Sequence, residues 1–283
     1  MCLSCGLVQQ SPLPTEDALR AYYSHHYRTD YKKTYQPKNK HIFRAGIAAK
    51  QRIEFLISGL AEQGKGPSGI THLDVGAGGG EVVYAAQKHG FVSVGIEPNH
   101  GYSEFARDAY GIEVQTRELS DVPAGSYQVV SMFHVLEHMP NPKAVFEALY
   151  ALTVPGGYAL IEVPNIEQAD ASPANIFFQA HLIYYSTATL LFAADEWFAP
   201  LRVVDNGNIR VLFGRRDLPK PGALPQRHTI DRTLHRLDTK GWIEYLSVGG
   251  GWQRPIQRLK RLPAELYVRK LTPIQTLEFS LSQ

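Results

Sequence analysis

Hydrophobic positions along this chain change their period several times, and each change predicts an element. Between 41 and 63, Ile42, Phe43, Ile47, Ile53, Phe55, Leu56 and Leu60 recur at helical spacing and predict an amphipathic helix broken by Gly64. From Ile70 to Arg216, short apolar runs alternate with amphipathic stretches. Ile70–Val75, Phe91–Ile96, Ile112–Gln115, Tyr127–Phe133 and Tyr158–Val163 read as strands. Glu81–His89 and Tyr102–Tyr110 read as helices stopped by Gly90 and Gly111, and Pro142–Leu152 as a helix with proline in its first turn. Such alternation predicts an α/β fold, a parallel sheet with helices on both faces. Leu201–Asp205 and Ile209–Phe213 flank Asn206-Gly207-Asn208, a hairpin signal. A mostly parallel sheet that ends in an antiparallel hairpin differs from the all-parallel dinucleotide fold.

The two ends have other textures. Residues 1–40 are rich in tyrosine, histidine and proline, with a short helical stretch from Thr15 to Tyr23, and predict an N-terminal lid. Residues 41–216 form the expected core. Residues 217–283 open with Pro219, Pro221 and Pro225 and continue as helical segments, a basic appendage whose balance over 215–283 is +7 in a chain of net charge +2. Within it, Trp252–Leu271 mixes Arg254, Arg258, Lys260 and Arg261 with Trp252, Ile256, Leu259 and Leu262. That stretch is the candidate for peripheral contact with a membrane or anionic glycan. Pro255 and Pro263, which interrupt a long helix, favour a solvated face instead. At 44% hydrophobic and 20% charged, the composition is that of a globular enzyme. No signal peptide, long apolar run or disulfide framework is evident, so a cytoplasmic location without an integral membrane segment is expected.

The chemistry concentrates at Leu73-Asp74-Val75-Gly76-Ala77-Gly78-Gly79-Gly80, a strand-to-helix junction. Gly76, Gly78 and Gly80 let the backbone turn sharply and a ligand approach with no Cβ in the way. Glu97 ends the next apolar strand, 17 residues after Gly80, where an acid accepts hydrogen bonds from both hydroxyls of an adenosine ribose. A pyrophosphate loop wants a glycine at 81 and a bare helix N-terminus. Glu81 stands there instead, and Asp74 adds a second acid. Together they disfavour a dinucleotide and favour S-adenosylmethionine, which has no phosphate and carries a sulfonium and an ammonium.

Leu73–Gly80, Gly95-Ile96-Glu97-Pro98-Asn99, Phe133-His134-Val135-Leu136-Glu137-His138 with Asn141-Pro142, and Pro155-Gly156-Gly157 before Ile161-Glu162-Val163-Pro164-Asn165 resemble class I S-adenosylmethionine-dependent methyltransferases. The similarity is to the type 11/12 group, which acts on small molecules, and covers about Ile70 to Phe213. The stretch His181-Leu182-Ile183-Tyr184-Tyr185-Ser186 is similar to one that some members carry before their last core helix. The resemblance implies a Rossmann-like seven-stranded sheet. It also places Gly76, Gly78 and Gly80 under the methionine moiety, Asp74 at its amino group and Glu97 on the ribose. Pro98 or Asn99 and Glu118-Leu119 would then lie near the adenine, and Phe133 and His134 near the methyl group. Tyr127-Gln128, entering the fourth strand, departs from the family pattern, and so does Thr116-Arg117-Glu118 after the third, which leaves the adenine contact open.

Methyl transfer needs the acceptor atom held in line with the methyl carbon, and a hydroxyl acceptor also needs a base. His181, in the long segment Pro164–Tyr185, ranks first and His134 second. His138, beside Glu137, suits a structural contact across the rim. Tyr22, Tyr23, His25, His26, Tyr27, Tyr31 and Tyr35 pack the lid, with one or two of them expected at an acceptor pocket. Cys2-Leu3-Ser4-Cys5 resembles the second half of a zinc ribbon, but two of the four thiolates are missing, so no metal is expected. The acceptor is expected to be a hydroxyl or carbon of a sugar, glycan precursor or other metabolite. Nucleic acid is disfavoured by a core that is not basic. A catalytically inactive S-adenosylmethionine-binding scaffold and a nicotinamide-dependent oxidoreductase are the rival readings.

Overall fold

The computed structural model describes residues 1–14, 37–178 and 180–283. The helix expected at Thr15–Tyr23 and the tyrosine and histidine cluster up to Tyr35 lie outside the described residues. In chain order the elements are β1 (Val8–Gln9), α1 (Asn39–Glu62), β2 (Thr71–Val75), α2 (Glu81–Lys88), β3 (Val92–Ile96), α3 (His100–Tyr110), β4 (Val114–Gln115), β5 (Tyr127–Phe133), α4 (Pro142–Leu152) and β6 (Thr153–Pro164). There follow α5 (Pro173–Ile176), β7 (Ile183–Tyr184), α6 (Thr187–Ala194), β8 (Phe198–Val204), β9 (Asn208–Arg215), α7 (Arg227–Thr239), α8 (Trp242–Ser247), α9 (Arg254–Tyr267) and α10 (Pro273–Ser282).

Seven strands form one sheet in the order β4-β3-β2-β5-β6-β9-β8. β2, β3 and β4 are parallel, whereas β9 runs antiparallel to both β6 and β8. The Asn206-Gly207-Asn208 hairpin thus closes the sheet as its sequence signal predicts, with Gly207 at φ 118°. Asparagine side chains cap α3 and α4. Asn99 accepts from the Tyr102 amide and Asn141 from the Ala144 amide.

The chain divides into two compact units at β5. One comprises Met1–Leu13 and Met132–Lys260, the other the described part of Pro14–Ser131 with Arg261–Gln283. In the first, Phe146, Phe198 and Phe213 pack as an aromatic triad 6.1–6.3 Å apart between α4 and the hairpin. Its β1 adds to β7 as a two-stranded antiparallel ribbon, Val8 opposite Tyr184. In the second, Ile42, Val83, Tyr84, Phe105, Tyr110 and Val114 form a core that Leu277 of α10 completes. Tyr84 Oη donates to Glu278 at 2.8 Å, and Lys88 pairs with the same carboxylate at 2.9 Å.

The α1–α10 contact is close. A Cβ on Gly46 would stand 1.8 Å from the Oγ of the buried Ser280. Gly46→Ala is therefore expected to destabilise the fold by about 1–3 kcal/mol, the usual cost of overpacking. A denaturation midpoint equal to that of the unsubstituted chain would show that α10 does not seat on α1 in solution.

Two expectations need correction. α9 runs through Pro263 instead of ending there. Proline removes one backbone donor, but tertiary anchors on its far side hold the helix: Arg44 pairs with the buried Glu265 at 2.6 Å, and Asn39 Nδ2 donates to the Val268 carbonyl at 2.8 Å. Pro255 sits in the first turn, where no donor is lost. The apolar residues of α9, Ile256, Leu259, Leu262 and Leu266, are exposed. Secondly, β6 begins at Thr153, so that Pro155-Gly156-Gly157 lies within the strand and not before it, with Gly156 at φ 71°. Among the described residues, no helix is long and apolar enough to cross a membrane.

Candidate functional site

The glycine loop joins β2 to α2. Gly76, Gly78 and Gly80 have φ of 72°, 56° and 86°, in the left-handed region where a side chain is strained. The amides of Gly76 and Ala77 both donate to the Ile96 carbonyl at 2.9 Å, which ties the loop to the end of β3. Glu97 follows immediately. Its Oε2 accepts from the Gly78 amide at 2.9 Å and its Oε1 from the Asn99 amide at 3.1 Å. A carboxylate has about four lone-pair positions, so these two bonds fix its orientation without exhausting its capacity to accept more.

Asp74 lies beneath the loop, 2% exposed. Its Oδ1 accepts from Ser131 Oγ at 2.6 Å, and that hydroxyl meets His72 Nε2 at 2.8 Å. The other ring nitrogen, His72 Nδ1, meets Ser93 Oγ at 2.8 Å. Because Ser131 donates to the carboxylate, it accepts from His72 Nε2–H, which leaves Nδ1 to accept from Ser93. Burial drives the His72 pKa down to about 3, so the ring is neutral. Burial pushes Asp74 up to about 7; Ser131 and Arg52 oppose the rise, while Glu81 and Glu97 reinforce it. Sequence reasoning missed His72, Ser93 and Ser131. The only signal was that His72 and Asp74 stand two apart on one strand and so share a face.

A second constellation lies in the other unit. His134 follows β5 with φ 55°, a left-handed conformation uncommon for histidine. Its Nδ1 is 3.3 Å from Glu137 Oε1, and its Nε2 is 3.2 Å from Glu162 Oε1 and 3.1 Å from Asn208 Nδ2. Arg210 pairs with Glu162 in turn, at 2.5 Å. His138, in the 3-10 turn Leu136–His138, donates from Nδ1 to the Ala180 carbonyl at 2.7 Å, and its ring meets that of His181 edge-on at 5.1 Å. His181 Nε2 is 4.0 Å from Glu137 Oε1. Burial holds His181 below the ordinary histidine value, against the pull of Glu137. Although burial favours its protonated form, hydrogen bonding to His134 and the charges of His134 and His138 bring Glu137 below its usual range. His181 also borders a cavity of about 80 Å³, with Asn165, Asp170, Asn175, Tyr184 and Asn208 among its polar walls.

Asp74, Gly76, Gly78, Gly80 and Glu97 therefore come together at one loop, and His134 and His181 share Glu137. Pro98 and Glu118 are exposed, and Leu119 is half-buried in a short 3-10 turn that Glu118 caps. Phe133, at the end of β5, is buried.

The model of the methyltransferase domain family matches residues 48–218. Among curated proteins, the ubiquinone biosynthesis O-methyltransferase of Acinetobacter baumannii (strain AYE) is 28% identical over 115 residues, 38% of this chain and 48% of that protein. The one from Bordetella avium (strain 197N) is 34% identical over 102 residues, 33% and 42% of the two chains. The chain thus spans about half the length of the curated relatives it matches. Among solved structures, Burkholderia thailandensis 1,6-didemethyltoxoflavin-N1-methyltransferase, with 1,6-didemethyltoxoflavin and S-adenosylhomocysteine bound, aligns with a TM-score of 0.54 at 15% identity, covering 75% of this chain and 95% of that one. Magnesium protoporphyrin IX methyltransferase from Synechocystis PCC 6803 aligns with a TM-score of 0.53 at 16% identity, covering 71% and 100%. At such identities the structural likeness shows the fold.

Proposed function

The chain belongs to the methyltransferase domain family, and on that premise we propose that it transfers the methyl group of S-adenosylmethionine to a hydroxyl or carbon of a small molecule, of the sugar, glycan-precursor or secondary-metabolite kind. The observation that carries the reading is the Glu97 carboxylate, fixed by the Gly78 and Asn99 amides at the end of β3. It supports a ribose site beside a loop that brings acids, not a bare helix end, to its ligand. Asp74 is assigned to the methionine ammonium, Gly76, Gly78 and Gly80 to the methionine backbone, and Pro98, Glu118, Leu119 and Phe133 to the surroundings of the nucleoside. The cavity beside His181 is assigned to the acceptor, with His181 taking the proton of its hydroxyl. His134, both of whose nitrogens face carboxylates, is assigned to orienting Glu137.

Calorimetric titration with S-adenosylmethionine and with NAD tests the assignment. Tight binding of NAD alone would favour the oxidoreductase, and cofactor binding without turnover on any acceptor would favour the scaffold.

The raised pKa of Asp74 sets a pH dependence. An ammonium favours the carboxylate, so cofactor binding releases a proton from any Asp74 that still holds one. Affinity is expected to rise as pH climbs from about 6 through about 7, then to fall as the ligand's own amino group, of pKa about 8, loses its charge. Ligand-free stability has the opposite sign. With a folded pKa above the unfolded one, the Asp74 contribution is full below about 3.8 and is lost as pH rises through about 7. Affinity that stays flat over this range would remove Asp74 from contact with the ammonium.

A further inference from the structure

Glu137, His138 and His181 each bring one potential ligand atom within 4.8 Å of the other two. No metal is expected from the sequence, where the Glu137-His138 pair and His181 stand far apart. The fold joins them. The Leu182 amide donates to the Glu137 carbonyl at 2.8 Å, and the Ala180 carbonyl accepts from the His138 ring, so the segment that carries His181 is clamped onto the 3-10 turn. All three residues belong to one compact unit.

We infer that Glu137, His138 and His181 form a binding site for a divalent transition-metal ion at the wall of the acceptor cavity. The donor set is two imidazoles and a carboxylate, a combination suited to zinc, iron or cobalt and foreign to the all-oxygen sites of calcium and magnesium. His138 is oriented as metal-bound histidines are, with one ring nitrogen, Nδ1, engaged by the Ala180 carbonyl. His181 turns its Nε2 to Glu137 and packs its ring edge-on against that of His138.

A second observation points to a missing guest. Glu137 is a carboxylate with its side chain 2% exposed, and among the described residues its Oε2 has no hydrogen-bond partner. The hydroxyl of the fully buried Tyr185, which feels the Glu137 charge, is likewise without one. Buried polar atoms without partners are rare in native proteins, and an unseen ion or water is a common reason for them. A tetrahedral ion with bonds of about 2.0–2.1 Å holds its ligands about 3.4 Å apart, so closure asks for a shift of about 1 Å, within reach of side-chain rotation.

The inference rests on the cavity assigned above to the acceptor, and it changes how His181 acts there, through an ion instead of as a proton acceptor. A metal lowers the pKa of a hydroxyl bound to it. The bound hydroxyl gives its proton to water, its oxygen forms the new bond to the methyl carbon as the sulfur–carbon bond breaks, and the electron pair returns to sulfur. The acceptor class that fits is therefore a hydroxyl compound able to offer oxygen to a metal, such as a phenol, an enol or a vicinal diol.

Cobalt(II) titration of the full chain after chelator treatment tests the site, with visible absorption as the readout. The Cys2→Ser/Cys5→Ser variant is used so that thiolates do not compete. One cobalt ion per chain is expected, with affinity falling by about a hundredfold or more in Glu137→Gln and in His181→Gln. No cobalt spectrum, or undiminished binding in both variants, would overturn the inference. Should the variants fail to fold by circular dichroism, zinc is expected to protect His181 of the unsubstituted chain from diethyl pyrocarbonate, and equal labelling with and without zinc counts against the site. Titration of the same samples with S-adenosylhomocysteine separates the two proposals. Cofactor binding without cobalt overturns the metal site alone, and cobalt without cofactor overturns the methyltransferase reading alone.

Discussion

His181→Ala is expected to lower turnover by about 10²–10⁴-fold, the range for loss of a group that manages a proton in the transition state, while leaving S-adenosylmethionine affinity within a few-fold. The split follows from where the residue stands. His181 borders the cavity assigned to the acceptor and faces Glu137, whereas the residues assigned to the cofactor are Asp74, the glycine loop and Glu97. Because burial holds its pKa below the ordinary histidine value, the neutral ring persists into mildly acidic solution. The acidic limb of the wild-type pH–rate profile should accordingly lie below about 6.5. Transfer of a labelled methyl group to a panel of hydroxylated acceptors reads both quantities. Turnover equal to that of the unsubstituted chain would remove His181 from the mechanism in either of its proposed capacities.

Glu97→Ala is expected to act on the other side of the reaction. Loss of charged hydrogen bonds to the ribose weakens cofactor binding by about 1.5–3 kcal/mol, roughly 10- to 150-fold. The variant also strips the Gly78 and Asn99 amides of their acceptor, so the loop keeps its backbone tie to Ile96 but loses the one at Gly78 even before ligand arrives. Glu97→Gln separates the two effects. It keeps a side-chain oxygen for one amide but lacks the charge, and is expected to fall between the wild type and alanine. Calorimetry that finds the cofactor bound equally well by all three proteins would mean the ribose is held elsewhere.

What the sequence disclosed was the part of the molecule whose signals are local. A strand, three glycines at left-handed φ and a helix sit within one short stretch, and Glu97 ends the very next strand, so both were visible without knowing any pairing. The hairpin around Gly207 was visible for the same reason. The hidden parts depend on contacts between distant segments. The chain from Ser93 through His72 and Ser131 to Asp74 exists only once β2 and β3 are in register and β5 lies beside β2. His138 was legible as a structural contact, but its partners were not, because nothing in the sequence announces that Ala180 and His181 return to it. Pro263 suggested a break because the Arg44–Glu265 pair, which holds the helix beyond it, joins residues at opposite ends of the chain.

The seating of α10 against α1, through Leu277, Ser280 and Glu278, has a consequence for biosynthesis. The compact unit that carries the glycine loop is discontinuous in the chain, and one of its layers comes from a stretch made well over a hundred residues after the loop, Arg261–Gln283. Until that stretch emerges, Ile42 and Tyr84 have one apolar side uncovered, and contacts between segments so far apart form slowly. During synthesis the unit that carries the glycine loop therefore has to wait, and a chain cut short before that stretch would keep its strands and glycines yet lack the apolar cover of Leu277.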